Sequence, residues 1–167
     1  MFLKKKANMR KIPGSMAGFT MIEVVVVLII LGILAVVAIS RIPDLREYDV
    51  TSEAQIVKSH LRYAQSKAMN TSEVWGINFL TSTTYALFKN GNTSNRVRLP
   101  GEGSLNRTLS SGITLSPTGI VVSFDSWGSP YQNADGTNAQ SGDRSITLSA
   151  GGSSKSITIK PKTGYMP

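Results

Sequence analysis

Two kinds of hydrophobic spacing divide this chain. From Phe19 to Ile39 apolar residues follow one another almost without interruption, and Glu23 is the only charged residue among them. As a helix those 21 residues would reach roughly 31 Å, enough to cross a bilayer core of about 30 Å. Beyond Pro43, which should kink or interrupt the helix, the pattern changes. Val50, Ala54, Val57, Leu61, Ala64 and Ala68 recur at alternating spacings of four and three, one apolar stripe along a helical face. Arg46, Glu53, Lys58, Arg62 and Lys67 fall mostly off that stripe. The spacing predicts a half-apolar helix that ends near Asn70 and docks on a sheet.

Period-two runs follow. Trp75, Ile77 and Phe79 alternate with Gly76 and Asn78 and read as a strand. Thr83–Lys89 reads as its hairpin partner, ended by the turn signal Asn90-Gly91-Asn92. Further strands are expected at Arg96–Leu99, Ile113–Leu115, Ile120–Phe124, Ser145–Ser149 and Ser156–Lys160, the last two forming a hairpin around Gly151-Gly152. One helix followed by several antiparallel strands predicts an α+β fold in which the helix covers one sheet face.

Charge sharpens the picture at the N-terminus. The formal net charge is +8, but Lys4, Lys5, Lys6, Arg10 and Lys11 all precede the apolar run. Without them 13 basic residues face 10 acidic ones, leaving +3. A basic tail before an apolar helix places that end in the cytoplasm and the remainder outside. The residual charge is too small for a nucleic-acid stripe. Arg96, Arg98 and Arg107 come nearest to one, so DNA contact is disfavoured. No cysteine is present, so disulfides and thiolate metal sites are excluded. The part beyond residue 42 is long enough to fold on its core alone.

A cleaved secretory signal ending at Val36-Val37-Ala38 would also fit a basic, apolar, small-residue order. Two features oppose it. The apolar run is longer than a usual signal core, and a carboxylate in a membrane helix costs about 2.5–3.5 kcal/mol at the centre and less near an interface, where Glu23 could also simply sit. A segment that is discarded gains nothing from that cost.

Ala17-Gly18-Phe19-Thr20-Met21-Ile22-Glu23, followed by Val24 through Ala35, resembles the class III signal of type IV prepilins and type II secretion pseudopilins. The resemblance implies cutting after Gly18 by prepilin peptidase and N-methylation of the new amine on Phe19. It implies a leader at 1–18, a transmembrane and filament-core helix at 19–42, and an extracytoplasmic globular domain at 43–167. Glu23 would be the assembly residue, its carboxylate meeting the Phe19 amine of a neighbouring subunit once buried in a filament. Burial of a charge is tolerable only with such a partner, which would also set register. The fold implied is pilin-like, a long N-terminal helix packed on an antiparallel sheet.

Resemblance beyond the stalk is to minor subunits. Leu61 through Ala68 looks like the helix end of minor pseudopilins and minor pilins, and Ile157 through Tyr165 like their last strand. Ser40 stands about where type IVa pilins usually place proline, and the cysteines of their C-terminal loop are missing. Both departures favour a pseudopilin or minor pilin over a major pilin, and pilus against pseudopilus stays open. The partners implied are other pilin or pseudopilin subunits, the peptidase, the inner membrane, and an assembly platform with its ATPase. The alternative reading is a filament-tip binding module contacting DNA, a surface or secreted cargo.

Chemistry is sparse elsewhere. His60, the lone histidine, is expected at the helix surface or boundary. No phosphate-binding glycine loop occurs, so assembly energy must come from another protein. Asp125 through Tyr131 resembles a segment of major pseudopilins that lies near a calcium loop. Asn133, Asp135, Asn138 and Asp143 could offer oxygen ligands, but their spacing does not fit an EF-hand, and a polar turn-rich loop is expected. Trp127 and Tyr131 are expected as packing residues. Asn70-Thr71-Ser72, Asn92-Thr93-Ser94 and Asn106-Arg107-Thr108 match the glycosylation sequon and carry no assigned role. The expectation is a structural subunit, not an enzyme, with no metal and no cofactor.

Overall fold

A computed structural model describes residues 18–39 and 45–167. The chain divides between Ile42 and Pro43 into two units. Of the first, the described part is helix α1, Met21–Ile39, preceded by non-helical Gly18, Phe19 and Thr20. The expected kink at Pro43 and residues 40–42 of the expected stalk lie outside the described residues, as does 1–17 of the expected leader.

The second unit begins with α2, Leu45–Thr71, and every one of its six stripe residues is buried. The helix stops for a local reason. Asn70 and Thr71 turn their side chains back onto the carbonyls of Ser66 and Lys67. Ser72 then takes a left-handed φ of 56° and donates its N–H to the Ala68 carbonyl at 3.1 Å, closing the last turn.

Nine strands follow: β1 Trp75–Phe79, β2 Thr84–Lys89, β3 Asn92–Val97, β4 Asn106–Thr108, β5 Thr114–Ser116, β6 Ile120–Phe124, β7 Pro130–Tyr131, β8 Arg144–Ala150 and β9 Ser153–Ile159. They form two antiparallel sheets. The larger has the order β3-β2-β1-β6-β7 with β4 added to β2, and the smaller has the order β5-β8-β9. Helix α2 packs against β1 and β6 of one sheet and β8 and β9 of the other. The α+β, pilin-like arrangement is as expected, but the helix bridges two sheets where one was expected. Nothing in strand spacing reveals which hairpins join which sheet.

The hairpins follow turn chemistry. Asn90 and Gly91, with φ of 58° and 65°, make the two-residue loop between β2 and β3, a geometry that matches strand twist and favours Asn-Gly. Ala150 pairs with Ser153 across Gly151-Gly152. Strand β3 ends at Val97, two residues short of expectation, and Leu99 is instead buried in the following turn. Strands β4 and β7 were not expected. Each has only two or three residues, and position beside a neighbour made them, not alternation.

The core lies between α2 and the two sheets. Trp75, Ile77 and Phe79 of β1 join Leu61, Tyr85, Leu87, Val122, Phe124, Ile146, Leu148 and Ile159 there. On the opposite face of β1, a Cβ at Gly76 would meet the Phe88 ring and the Ser123 backbone at 2.7 Å. Only glycine fits that close approach. Ser123 donates to the Asn133 carbonyl at 2.6 Å, so the polar segment after β7 covers this second face.

Candidate processing and assembly site

At the start of α1, Thr20 is the N-cap. Its hydroxyl accepts from the Glu23 N–H at 3.3 Å, and its carbonyl accepts from the N–H groups of Glu23 and Val24 at 3.1 and 3.3 Å. Thr20 and Glu23 have the spacing of a capping box. That signal was legible in the sequence, and it explains why the helix opens two residues after Phe19, where the apolar run begins. An acidic residue in the first helical turn also suits the positive end of the helix dipole.

Beyond the cap, every side chain from Gly18 to Ala35 is exposed. Phe19 is 83% exposed, and apolar residues occupy all sides of α1. A helix apolar all round belongs in lipid or inside a larger assembly. Phe19, Glu23, Val24, Val27 and Leu28 line one shallow groove along it, which places the first and fifth residues after Gly18 on a common face. The Glu23 carboxylate makes no ion pair among the described residues. With 19 residues, α1 reaches about 28 Å, and among the described residues no helix is long and apolar enough to cross a membrane. The span expected from Phe19 is shorter in the structure because Thr20 caps it.

Residues 15–39 match the prokaryotic N-terminal methylation motif family. The chain carries the type IV prepilin and pseudopilin signal. No curated protein and no solved structure matches it. The methylation motif supports a pilin- or pseudopilin-like precursor.

The remaining candidate residues lie in the second unit. His60 is buried, not at the surface, and its Nδ1 lies 2.8 Å from the Tyr85 hydroxyl. Burial, then the Arg107 guanidinium nearby, holds the imidazole below the usual histidine range. Burial also pushes the Tyr85 hydroxyl up. Glu53 was expected off the apolar stripe, yet it is buried, paired with Arg107 and accepting from the Ser110 hydroxyl at 3.0 Å. Arg107 also donates to Glu102 at 2.7 Å. Burial alone would lower the Arg107 pKa, but its bonds to these carboxylates prevail and raise it. The basic trio considered for DNA thereby loses its third member. This network ties α2 to β4 and its flanking loops. No spacing rule would find it, because Glu53 and Arg107 are far apart in the chain.

Trp127 is a second correction. It is 85% exposed, because the turn carrying it is braced from below. Asp125 accepts from the N–H groups of Trp127 and Ser129, both at 2.9 Å, and from the Tyr131 hydroxyl at 3.0 Å. That last bond holds the Tyr131 phenol above its ordinary pKa. Gln65 donates to the Gly128 carbonyl at 2.8 Å, so the backbone is anchored while the indole projects outward. In the following loop three of the four side chains weighed for calcium are engaged locally. Asp135 accepts from Thr137, Asn133 from Asn138, and Asp143 pairs with Lys160 at 2.6 Å. No group of three metal-ligating side chains converges among the described residues.

Proposed function

We propose that this protein is a structural subunit of a type IV pilus or type II secretion pseudopilus, of the minor type. It enters the inner membrane with its basic N-terminus in the cytoplasm. Prepilin peptidase cuts after Gly18 and methylates the amine of Phe19. The apolar helix stays with the subunit, first in lipid and then in the filament core. An assembly platform with its ATPase supplies the energy for extraction, and the unit from residue 43 onward remains outside the cytoplasmic membrane. No step of this role calls on catalysis, a metal or a cofactor in the subunit.

The observation that carries the reading is α1 itself. It is apolar on all sides, exposed from Met21 to Ala35, and interrupted by one carboxylate that finds no ion pair among the described residues. Moving such a helix from lipid into a protein core changes little for its aliphatic side chains. For Glu23 the change is large, because a buried carboxylate requires a counter-charge. The Phe19 amine of a neighbouring subunit meets that need and remains cationic after methylation.

Mass spectrometry of the mature protein tests the processing step. A chain beginning at N-methylated Phe19 is expected, and a chain beginning at Ile39 would refute the proposal. Substitution Glu23→Val should leave processing intact and abolish most incorporation into filaments. Filaments that take up this variant normally would remove Glu23 from assembly.

A further inference from the structure

We propose that Thr20 is a positioning residue for processing: by capping α1 it keeps the Gly18–Phe19 peptide bond outside the helix and open to the peptidase. The inference rests on the prepilin reading above. The first carbonyl drawn into the helical ladder is that of Thr20. Gly18 and Phe19 are non-helical and exposed. If the helix ran two residues further back, the Gly18 carbonyl would be occupied by an N–H one turn later. Attack on that carbonyl needs it free, with both faces approachable. The bond to be cut therefore has to lie before the helix begins. Phe19, Met21 and Ile22 are all compatible with helix. The hydroxyl of Thr20 supplies the stop: together with the Thr20 carbonyl it takes the Glu23 N–H, which a helix begun one turn earlier would direct to the Phe19 carbonyl.

Full-length protein in membranes, treated with prepilin peptidase, gives the test. Initial rates of loss of the 18-residue leader would be compared for wild type, Thr20→Val, Thr20→Ser, Thr20→Asn and the uncleavable control Gly18→Val. Valine keeps the shape of threonine but cannot cap, and it should slow cleavage about fivefold, as loss of a typical N-cap shifts the helix start. Serine and asparagine cap well and should restore the rate. Carbon chemical shifts of Phe19 in detergent should move toward helical values in Thr20→Val alone. Cleavage of Thr20→Val at the wild-type rate would overturn the inference while leaving the prepilin reading intact. Equal slowing in the serine and asparagine variants would also overturn it, since the peptidase would then be reading the threonine side chain directly. A wild-type chain left uncut after Gly18 would overturn the prepilin reading, and this inference with it.

Discussion

Glu23 and Glu53 are two acids on two helices, and their surroundings differ completely. Glu53 is buried, and the same chain brings Arg107, itself held by Glu102, to meet it. Glu23 sits on an apolar helix with no ion pair among the described residues. One carboxylate is neutralised by folding. The other, in the proposed role, is neutralised only by assembly. The contrast shows how a charge among apolar neighbours can mark either a finished tertiary contact or one that a second molecule must complete.

Breaking the pair inside the fold should have the largest effect on stability. Arg107→Met leaves Glu53 buried without its cation and should cost about 3–5 kcal/mol in chemical denaturation. The double substitution Glu53→Leu with Arg107→Met should recover most of that loss, because apolar pairs often replace buried ion pairs at little cost. Glu23→Val, by contrast, should leave the denaturation curve of the second unit unmoved. A large loss there would erase the distinction between the two acids.

A smaller effect separates the two ends of the β6–β7 turn. Asp125→Ala removes three hydrogen bonds and should cost about 1–3 kcal/mol. Trp127→Ala, on the same turn, should change stability by no more than about 0.5 kcal/mol. Thermal melts of both variants check this, and equal losses would mean that the indole is packed.

The gentlest probe is pH. Because the folded His60 pKa is depressed, the neutral ring is the form that folding favours. Its contribution is fully present above the ordinary value of 6.5 and is lost as pH falls through the folded value. The groups facing it are Tyr85, Arg107, Glu102, Glu53 and the Pro100 backbone. Stability of the wild type relative to His60→Gln should therefore decline on acidification through this range. A difference that stays flat would show that His60 titrates as it does in the unfolded chain.

Much of the fold was legible because it rests on repetition. The six stripe residues of α2 are buried because their spacing puts them on one face, whatever lies opposite. Strand β6 runs from Ile120 to Phe124 as expected, and the Asn90-Gly91 turn follows from the φ values those residues tolerate. The motif at residues 15–39 was equally legible, since it depends on the order of neighbouring residues. The cap at Thr20 was readable by the same logic, from a threonine and a glutamate three residues apart.

What repetition could not supply was the fate of single polar residues. His60, Glu53 and Arg107 look like ordinary surface residues by spacing, and Trp127 looks like a core residue by type. Each assignment reversed because burial of a polar group depends on whether a distant partner arrives, and exposure of an aromatic depends on how its turn is braced. The division of nine strands into two sheets was decided in the same way. Local sequence determined helix α2, most of the longer strands and where the prepilin signal lies. Tertiary structure alone decided which charges are paired within the chain, because an ion pair is a property of two positions brought together and neither residue encodes the other.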